Sequence, residues 1–257
     1  MDHLQRVKQE FTRQAGAFAS SPATTDAQLT RRFSEAIGPN GNGIILDVAC
    51  GPGIVTAALA EKARQVVALD VTPEMLSQAR QRCANAGLRN VTFREGSATD
   101  LPFADSSFDG VVTRLSIHHF EEPRRALGEM FRVLRPDGTL VVADVVSSEN
   151  AEESALQNAI ETLRDPSHVR MLAPSELLSV IEGAGFQIDT QSAWDKDREL
   201  NEWMGIVNDP ARVAPLRTVV RALAAAGATA GMGLSLAGGE VVLFHRWLLI
   251  AARKRRI

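Results

Sequence analysis

The 257 residues contain no tyrosine, and aromatic residues make up only 5% of the chain. A Tyr–Lys acid/base pair is therefore excluded. Only two cysteines occur, Cys50 and Cys83, so there is no disulfide framework and no cysteine metal-ligand spacing. No run of about 18 apolar residues is present, and a membrane span is not expected. Residues 1–10 lack the apolar stretch of a signal peptide, which makes the cytoplasm the expected location. Net charge is −3 with no large basic field. Nucleic acid is not an expected partner, because phosphate contacts need clustered Lys and Arg. The one basic run, Arg253 to Arg256, reads as a solvated end. What is present, 45% apolar and 23% charged residues, is ordinary for a soluble globular chain. The length suits one core with an elaborated cap.

The most informative stretch is 44–56, I-I-L-D-V-A-C-G-P-G-I-V-T. An apolar run stops at two glycines and restarts as a helical pattern, which predicts a strand–turn–helix unit. Gly51 and Gly53 let the backbone approach a ligand closely, since no Cβ intervenes. The helix that follows points its free N–H groups and positive dipole end at the turn. This pattern predicts a nucleotide-type site at the end of a first strand. A dinucleotide fingerprint would carry a small residue where Thr56 stands. Asp47, at the strand's end, would repel a pyrophosphate and attract an amino group. The stretch therefore favours a ligand carrying an ammonium and a sulfonium over a diphosphate. Asp70 ends the next strand, where an open α/β sheet holds a ribose. The third strand ends R-E-G-S-A-T-D, placed to meet an adenine edge.

Ahead of this stretch, Leu4, Val7, Phe11, Ala15 and Phe18 form one helical face over residues 2–20. Ser20-Ser21-Pro22 breaks that helix. Thr24 or Thr25 caps a second, with Leu29, Phe33 and Ile37 on one stripe. Strands are predicted at 44–48, 65–69, 91–95, 108–114, 139–146, 186–194 and 240–252. Helices are predicted at 54–64, 73–86, 123–134, 149–169 (broken at Asp165-Pro166), 175–182 and 199–231. The last holds Trp203 and an alanine-rich run, 221–230, while Arg135-Pro136-Asp137-Gly138 reads as a turn. Strands alternating with helices mean a parallel sheet covered on both faces. The expected architecture is a single Rossmann-like α/β domain with cap segments 1–38, 147–178 and 196–238.

The segments D-V-A-C-G-P-G, L-D-V-T-P-E-M-L, E-G-S-A-T-D-L-P-F, S-F-D-G-V-V-T-R and F-R-V-L-R-P-D-G-T-L resemble the class I S-adenosylmethionine (SAM)-dependent methyltransferases. The branch is the one grouped with ubiquinone/menaquinone C-methyltransferases, and R-D-P-S-H-V-R is similar to uncharacterised bacterial members of it. The resemblance implies a seven-stranded sheet of order 3-2-1-4-5-7-6 with strand 7 antiparallel. It implies methyl transfer from SAM, leaving S-adenosylhomocysteine, with no metal. Asp47, Ala49, Gly51 and Gly53 would surround the methionine part. Asp70 would hold the ribose hydroxyls, and Val71 and Met75 would cover the adenine. Ser97 and Ala98 would meet its edge, while Arg114, Leu115 and Ser116 would close under the sulfonium. Ser97 stands where many relatives carry Asp, and the N-terminal signature of the quinone enzymes is absent.

Catalytic residues are less legible. His118 and His119 follow the fourth strand, at the edge where reaction must occur. Adjacent histidines point apart and no carboxylate triad accompanies them, so no metal is expected. His119 and His168 are the candidate bases. Phe18, His119, His168, Arg170 and Trp203 are candidates for contact with a small-molecule acceptor, apolar or aromatic in character. Positioning and exclusion of water are expected to supply most of the catalysis, with residues 1–20 and the later excursions as a lid. The rival readings are a SAM-binding protein without transfer activity and an NAD-dependent oxidoreductase. An RNA methyltransferase would need a basic face that this chain lacks. Homodimerisation is left open.

Overall fold

The structure is a computed structural model that describes residues 1–21, 25 and 27–255. Pro22 as a helix breaker, Thr24 as a cap, Arg256 of the basic run and the side chain of Leu29 lie outside this description. The chain begins with α1 (His3–Ser20), where the Asp2 carboxylate accepts the Gln5 N–H at 2.8 Å. That bond satisfies one of the free donors of the first turn. Next come α2 (Ala27–Ala36), a 3-10 turn (Gly38–Asn42), β1 (Ile44–Val48), α3 (Ile54–Ala60) and β2 (Gln65–Asp70). These lead to α4 (Pro73–Asn85), β3 (Val91–Glu95), β4 (Phe108–Arg114), a short 3-10 turn (Ile117–His119), α5 (Pro123–Val133) and β5 (Leu134–Val146). The last part holds α6 (Ala151–Arg164), α7 (Pro174–Gly183), β6 (Phe186–Glu199), α8 (Leu200–Gly205), α9 (Pro210–Ala225), β7 (Ser235–Ala237) and β8 (Glu240–Lys254).

The sheet order is β3-β2-β1-β4-β5-β8-β6, with β1 to β5 parallel and β8 antiparallel to both of its long neighbours. This is the order the resemblance implied, with one strand added. β7 pairs with β8 off the main path, through a two-residue loop of Gly238 and Gly239. Both glycines have positive φ, as a tight hairpin of this length requires.

Four other expectations are corrected. β6 runs past Trp194 to Glu199, because β8 continues opposite it as far as Val242. The helix expected over 199–231 is two helices, and the second starts afresh at Pro210 with the Asp209 carboxylate accepting the Arg212 N–H. It stops at Ala225 because Gly227 turns left-handed at φ 76°, so the end of the alanine-rich run is not helical. The Arg135–Gly138 turn lies within the run of β5, where Asp137 takes φ 64° and the β4–β5 register shifts between Phe108 and Gly110.

Each face of the sheet carries its own core. Leu127 and Met130 of α5, with Leu177 and Ile181 of α7, bury on one face. Phe33 of α2, Ile37, and Val55 and Leu59 of α3 bury on the other. Each such side chain contributes about 1.5–3 kcal/mol through burial. A separate cluster joins α6, α8, α9 and the β7–β8 hairpin around Trp203, Met204, Leu216 and Val220. The parallel strands bring the ends of β1 to β5 to one edge, where open α/β sheets bind ligands. Among the described residues, no helix is long and apolar enough to cross a membrane.

Candidate active site

A cleft opens at that edge. Its floor comes from the strand tips and the segments after them: Asp47, Ala49 and Gly51 after β1; Asp70 and Val71 after β2; Ser97 and Ala98 after β3; Arg114, Leu115 and Ser116 after β4. Met75 of α4 adds a side wall, and α1 adds a roof through Leu4, Val7, Phe11 and Phe18. Two non-glycine residues of the floor sit in the left-handed region, Ala49 at φ 55° and Leu115 at φ 51°. Such conformations cost about 1–3 kcal/mol each and persist where the surroundings over-determine them. Gly51, at φ 54°, leaves open space where a Cβ would stand, so a ligand can lie against its backbone.

Two carboxylates organise the floor. Asp70 Oδ2 accepts the Gly51 N–H at 2.8 Å, and Oδ1 accepts the Thr72 N–H at 2.9 Å. One acid thus ties the glycine turn to the tip of β2 and keeps a lone pair on each oxygen for a ligand hydroxyl. Burial raises its pKa, and these backbone donors oppose the rise. Asp47 is fully buried, and Thr56 Oγ1 donates to its Oδ2 at 2.5 Å. Thr56 replaces the small residue of a dinucleotide helix and serves Asp47 instead. Burial pushes the Asp47 carboxyl up to about 7, the Thr56 hydroxyl and the Arg114 charge pull it down, and the nearby Asp70 adds to the rise.

The segment after β4 is held by an acid with no part in the sequence-based site. Asp144, near the end of β5, accepts the Ser116 N–H at 3.2 Å and the Ile117 N–H at 2.7 Å on Oδ2. Its Oδ1 accepts the His118 Nδ1–H at 2.5 Å. Burial opposes charge on His118, but this carboxylate outweighs it and the pKa lies above the ordinary value. The signal was available: Asp47, Asp70 and Asp144 are all acids near the ends of apolar strands. His119 lines the cleft, with its edge to the Phe11 ring at a centroid distance of 4.9 Å. Its Nδ1–H donates to the Ser167 carbonyl at 2.8 Å, which leaves Nε2 as the bare nitrogen. Burial and the neighbouring His118 charge lower its pKa to about 3. At neutral pH this ring is therefore uncharged, with Nε2 as a hydrogen-bond acceptor.

Four other expected residues do not line the cleft. Gly53 caps α3 at φ 75°, and an added Cβ would lie 2.7 Å from the Ala79 Cβ. It is needed for helix packing. His168 is buried behind the cleft, its Nε2–H donating to Asn158 Oδ1 at 2.9 Å, and burial lowers its pKa to about 4. Arg170 is an exposed residue paired with Glu176 at 3.0 Å. Trp203 is 1% exposed in the cap cluster, beyond reach of a ligand. Phe18 does face the cleft, together with His3 and Phe120, which sequence reasoning did not single out. The apolar face of α1 was the available signal for its contribution.

The roof is pinned at several points. The His3 ring donates to the His119 carbonyl at 2.8 Å, and Thr12 donates to Glu74 at 2.8 Å. Lys8 pairs with Glu95 at 3.0 Å, and buried Gln14 donates to Asp165 Oδ2 at 3.0 Å.

An acid at each of two neighbouring strand tips, a glycine turn tied between them and a half-apolar roof define a nucleoside-binding enzyme of the open α/β class. The donor set fits SAM, since carboxylates suit an ammonium and a ribose diol, and the open face of Gly51 admits a chain lying close. Comparison with known proteins agrees. A family model described as a methyltransferase domain matches residues 46–142. Protein YafE of Escherichia coli, itself uncharacterised, is 36% identical over 158 residues, 62% of this chain and 76% of its own. The uncharacterised methyltransferase YcgJ of Bacillus subtilis is 31% identical over 167 residues, 65% of this chain and 66% of its own. The crystal structure of YcgJ superimposes with a TM-score of 0.82 at 26% identity, covering 90% of this chain and 99% of that one. A demethylmenaquinone methyltransferase of Clavibacter sepedonicus is 41% identical over 111 residues, 43% of this chain and 44% of its own. The chain therefore spans about two thirds of YcgJ's curated length and less than half of the quinone enzyme. The chain belongs to the class I SAM-dependent methyltransferases. It is an enzyme of methyl transfer, and the NAD-dependent reading falls. Among the described residues, no group of His, Cys, Asp or Glu is arranged to hold a metal ion.

Proposed function

We propose that this enzyme methylates a small apolar or aromatic acceptor in the cytoplasm, with the acceptor held between the floor after β4 and the underside of α1. The observation that carries this reading is the roof: Leu4, Val7, Phe11 and Phe18 give the reacting end of the cleft an apolar, partly aromatic lining. When bound, SAM supplies a sulfonium methyl for in-line displacement. Asp70 holds the ribose hydroxyls, Val71 and Met75 cover the adenine, and Ser97 and Ala98 meet its edge. Ser97 Oγ is already bonded to Thr99 Oγ1 at 2.9 Å, so we assign the adenine edge mainly to the backbone of this turn. Asp47 faces the ammonium. Leu115 and Ser116, fixed by Asp144, shape the floor beneath the reacting centre, and α1 excludes water. His119 Nε2 accepts a hydrogen bond from the acceptor and takes no proton from it.

Methyl-labelled SAM, incubated with the enzyme and fractions of host extract, tests the acceptor class. Label is expected in small, organic-extractable molecules. Label confined to RNA or protein overturns the proposal.

Asp47 gives SAM binding a pH dependence. Between about pH 4 and pH 7 the free native chain holds this proton while the unfolded chain has lost it, so stability falls as pH rises through that window. A ligand ammonium favours the ionised form. Affinity for SAM is therefore expected to fall roughly tenfold from pH 7.5 to pH 6, with proton release visible as a buffer-dependent calorimetric enthalpy. Asp47→Asn should flatten that slope; an unchanged slope in this variant would show that another group carries it.

A further inference from the structure

Sheet register puts three charged side chains on one face. Asp47 of β1 lies opposite Ala68 of β2 on one side and Val112 of β4 on the other. Side chains alternate along a strand. Asp70 and Arg114, each two residues past Asp47's partner, therefore share its face, one pleat nearer the edge. In the strand order β2, β1, β4 the charges run carboxylate, carboxylate, guanidinium, and all three line the cleft. Below them this face is apolar, with Ile45, Val55 and Leu59 buried against it. The Arg114 charge reaches Asp47 and lowers the pKa that burial raises.

That order has a chemical meaning along SAM. A guanidinium is a permanent cation with donors only. Next to a sulfonium it would repel, so the expected place of Arg114 under the sulfonium is the least favourable one for its side chain. Its planar fork matches a carboxylate, with two parallel N–H donors for two oxygens. The methionine end of SAM carries an ammonium and a carboxylate on one carbon, two opposite charges needing two opposite partners. Adjacent strands lie about 4.8 Å apart, so side chains on one face one pleat apart can close around one such carbon.

We infer that Arg114 binds the carboxylate of SAM and, with Asp47, reads the zwitterionic end of the cofactor. The inference rests on the proposed SAM site and adds a specificity residue to it. Leu115 and Ser116 keep their place in the floor, while Arg114 shares the sheet face of Asp47.

Calorimetry with SAM and with decarboxylated SAM tests this without any turnover. The two ligands share adenosine, sulfonium and ammonium and differ only in the carboxylate. The wild type is expected to prefer SAM by about tenfold to a hundredfold, the range of one charge-assisted hydrogen-bonded pair. Arg114→Met should lose that preference by weakening SAM binding, while binding of decarboxylated SAM changes less than about threefold. Arg114→Lys should keep part of the preference, because charge survives and the fork does not. Any effect acting through Asp47 touches both ligands alike and cancels in their ratio. A wild type indifferent to the carboxylate overturns the inference, and so does an equal loss for both ligands in Arg114→Met. A wild type that binds neither ligand overturns the SAM site and the inference with it.

Discussion

Asp70→Ala is expected to weaken SAM binding by about a hundredfold or more. The carboxylate oxygens that accept the Gly51 and Thr72 N–H groups have further acceptor capacity for the ribose hydroxyls. Hydrogen bonds to a charged group contribute about 1.5–3 kcal/mol each, so two of them correspond to at least two orders of magnitude in affinity. The substitution also releases the glycine turn, because Gly51 loses the acceptor that ties it to β2. Asp70→Asn separates the two effects. Its size and one acceptor oxygen remain, and about a tenfold to hundredfold loss is expected with a smaller change in melting temperature. Calorimetry with SAM gives the affinities, and a thermal melt reports the fold. An Asp70→Ala protein that is folded and binds SAM as the wild type does would show that the cofactor lies elsewhere along the sheet edge.

Removal of residues 1–20 should reduce kcat/KM by about a hundredfold or more, with the loss present at saturating SAM. α1 supplies the roof residues Leu4, Val7, Phe11 and Phe18, and without them the reacting end of the cleft opens to water. Its anchors span the whole mouth: the His119 carbonyl, Glu74, Glu95 and Asp165. The deletion also strips partners from the buried Asp165, so the cap is expected to soften. Phe11→Ala provides the milder comparison. It removes the ring against His119 while leaving the anchors intact, and a loss of about tenfold in kcat/KM at unchanged melting temperature is expected. Wild-type kinetics from the truncated protein would remove α1 from any role as a lid.

Asp47 and Asp70 were legible because both stand near the end of an apolar strand, Asp47 just ahead of a glycine turn. Asp47 and Asp70 need only strand alternation and parallel topology to arrive at one edge. Asp144 follows the same rule, yet its importance shows only when its carboxylate is seen to gather Ser116, Ile117 and His118. The histidines were ambiguous for a different reason. Whether an imidazole is a base depends on its burial and on the partner that fixes its tautomer. His119 meets a backbone carbonyl contributed from the Ser167 turn, 48 positions away, and no local pattern encodes that meeting. Arg170 and Trp203 stand away from this cleft for the same cause. One found Glu176 at the surface, and the other filled a cap core closed by α8, α9 and the β7–β8 hairpin.

The sequence by itself determined the strand–turn–helix unit at 44–56, the alternating frame around it and the methyl donor. These depend on short-range features: apolar runs, glycines that permit φ above zero, and acids at strand ends. Only the tertiary structure decided which residues roof the cleft, which histidines are held neutral and which charges share a face. Those properties come from packing between elements distant in the chain and from strand register. A one-residue slip of β4 against β1 would turn Arg114 to the opposite face from Asp47.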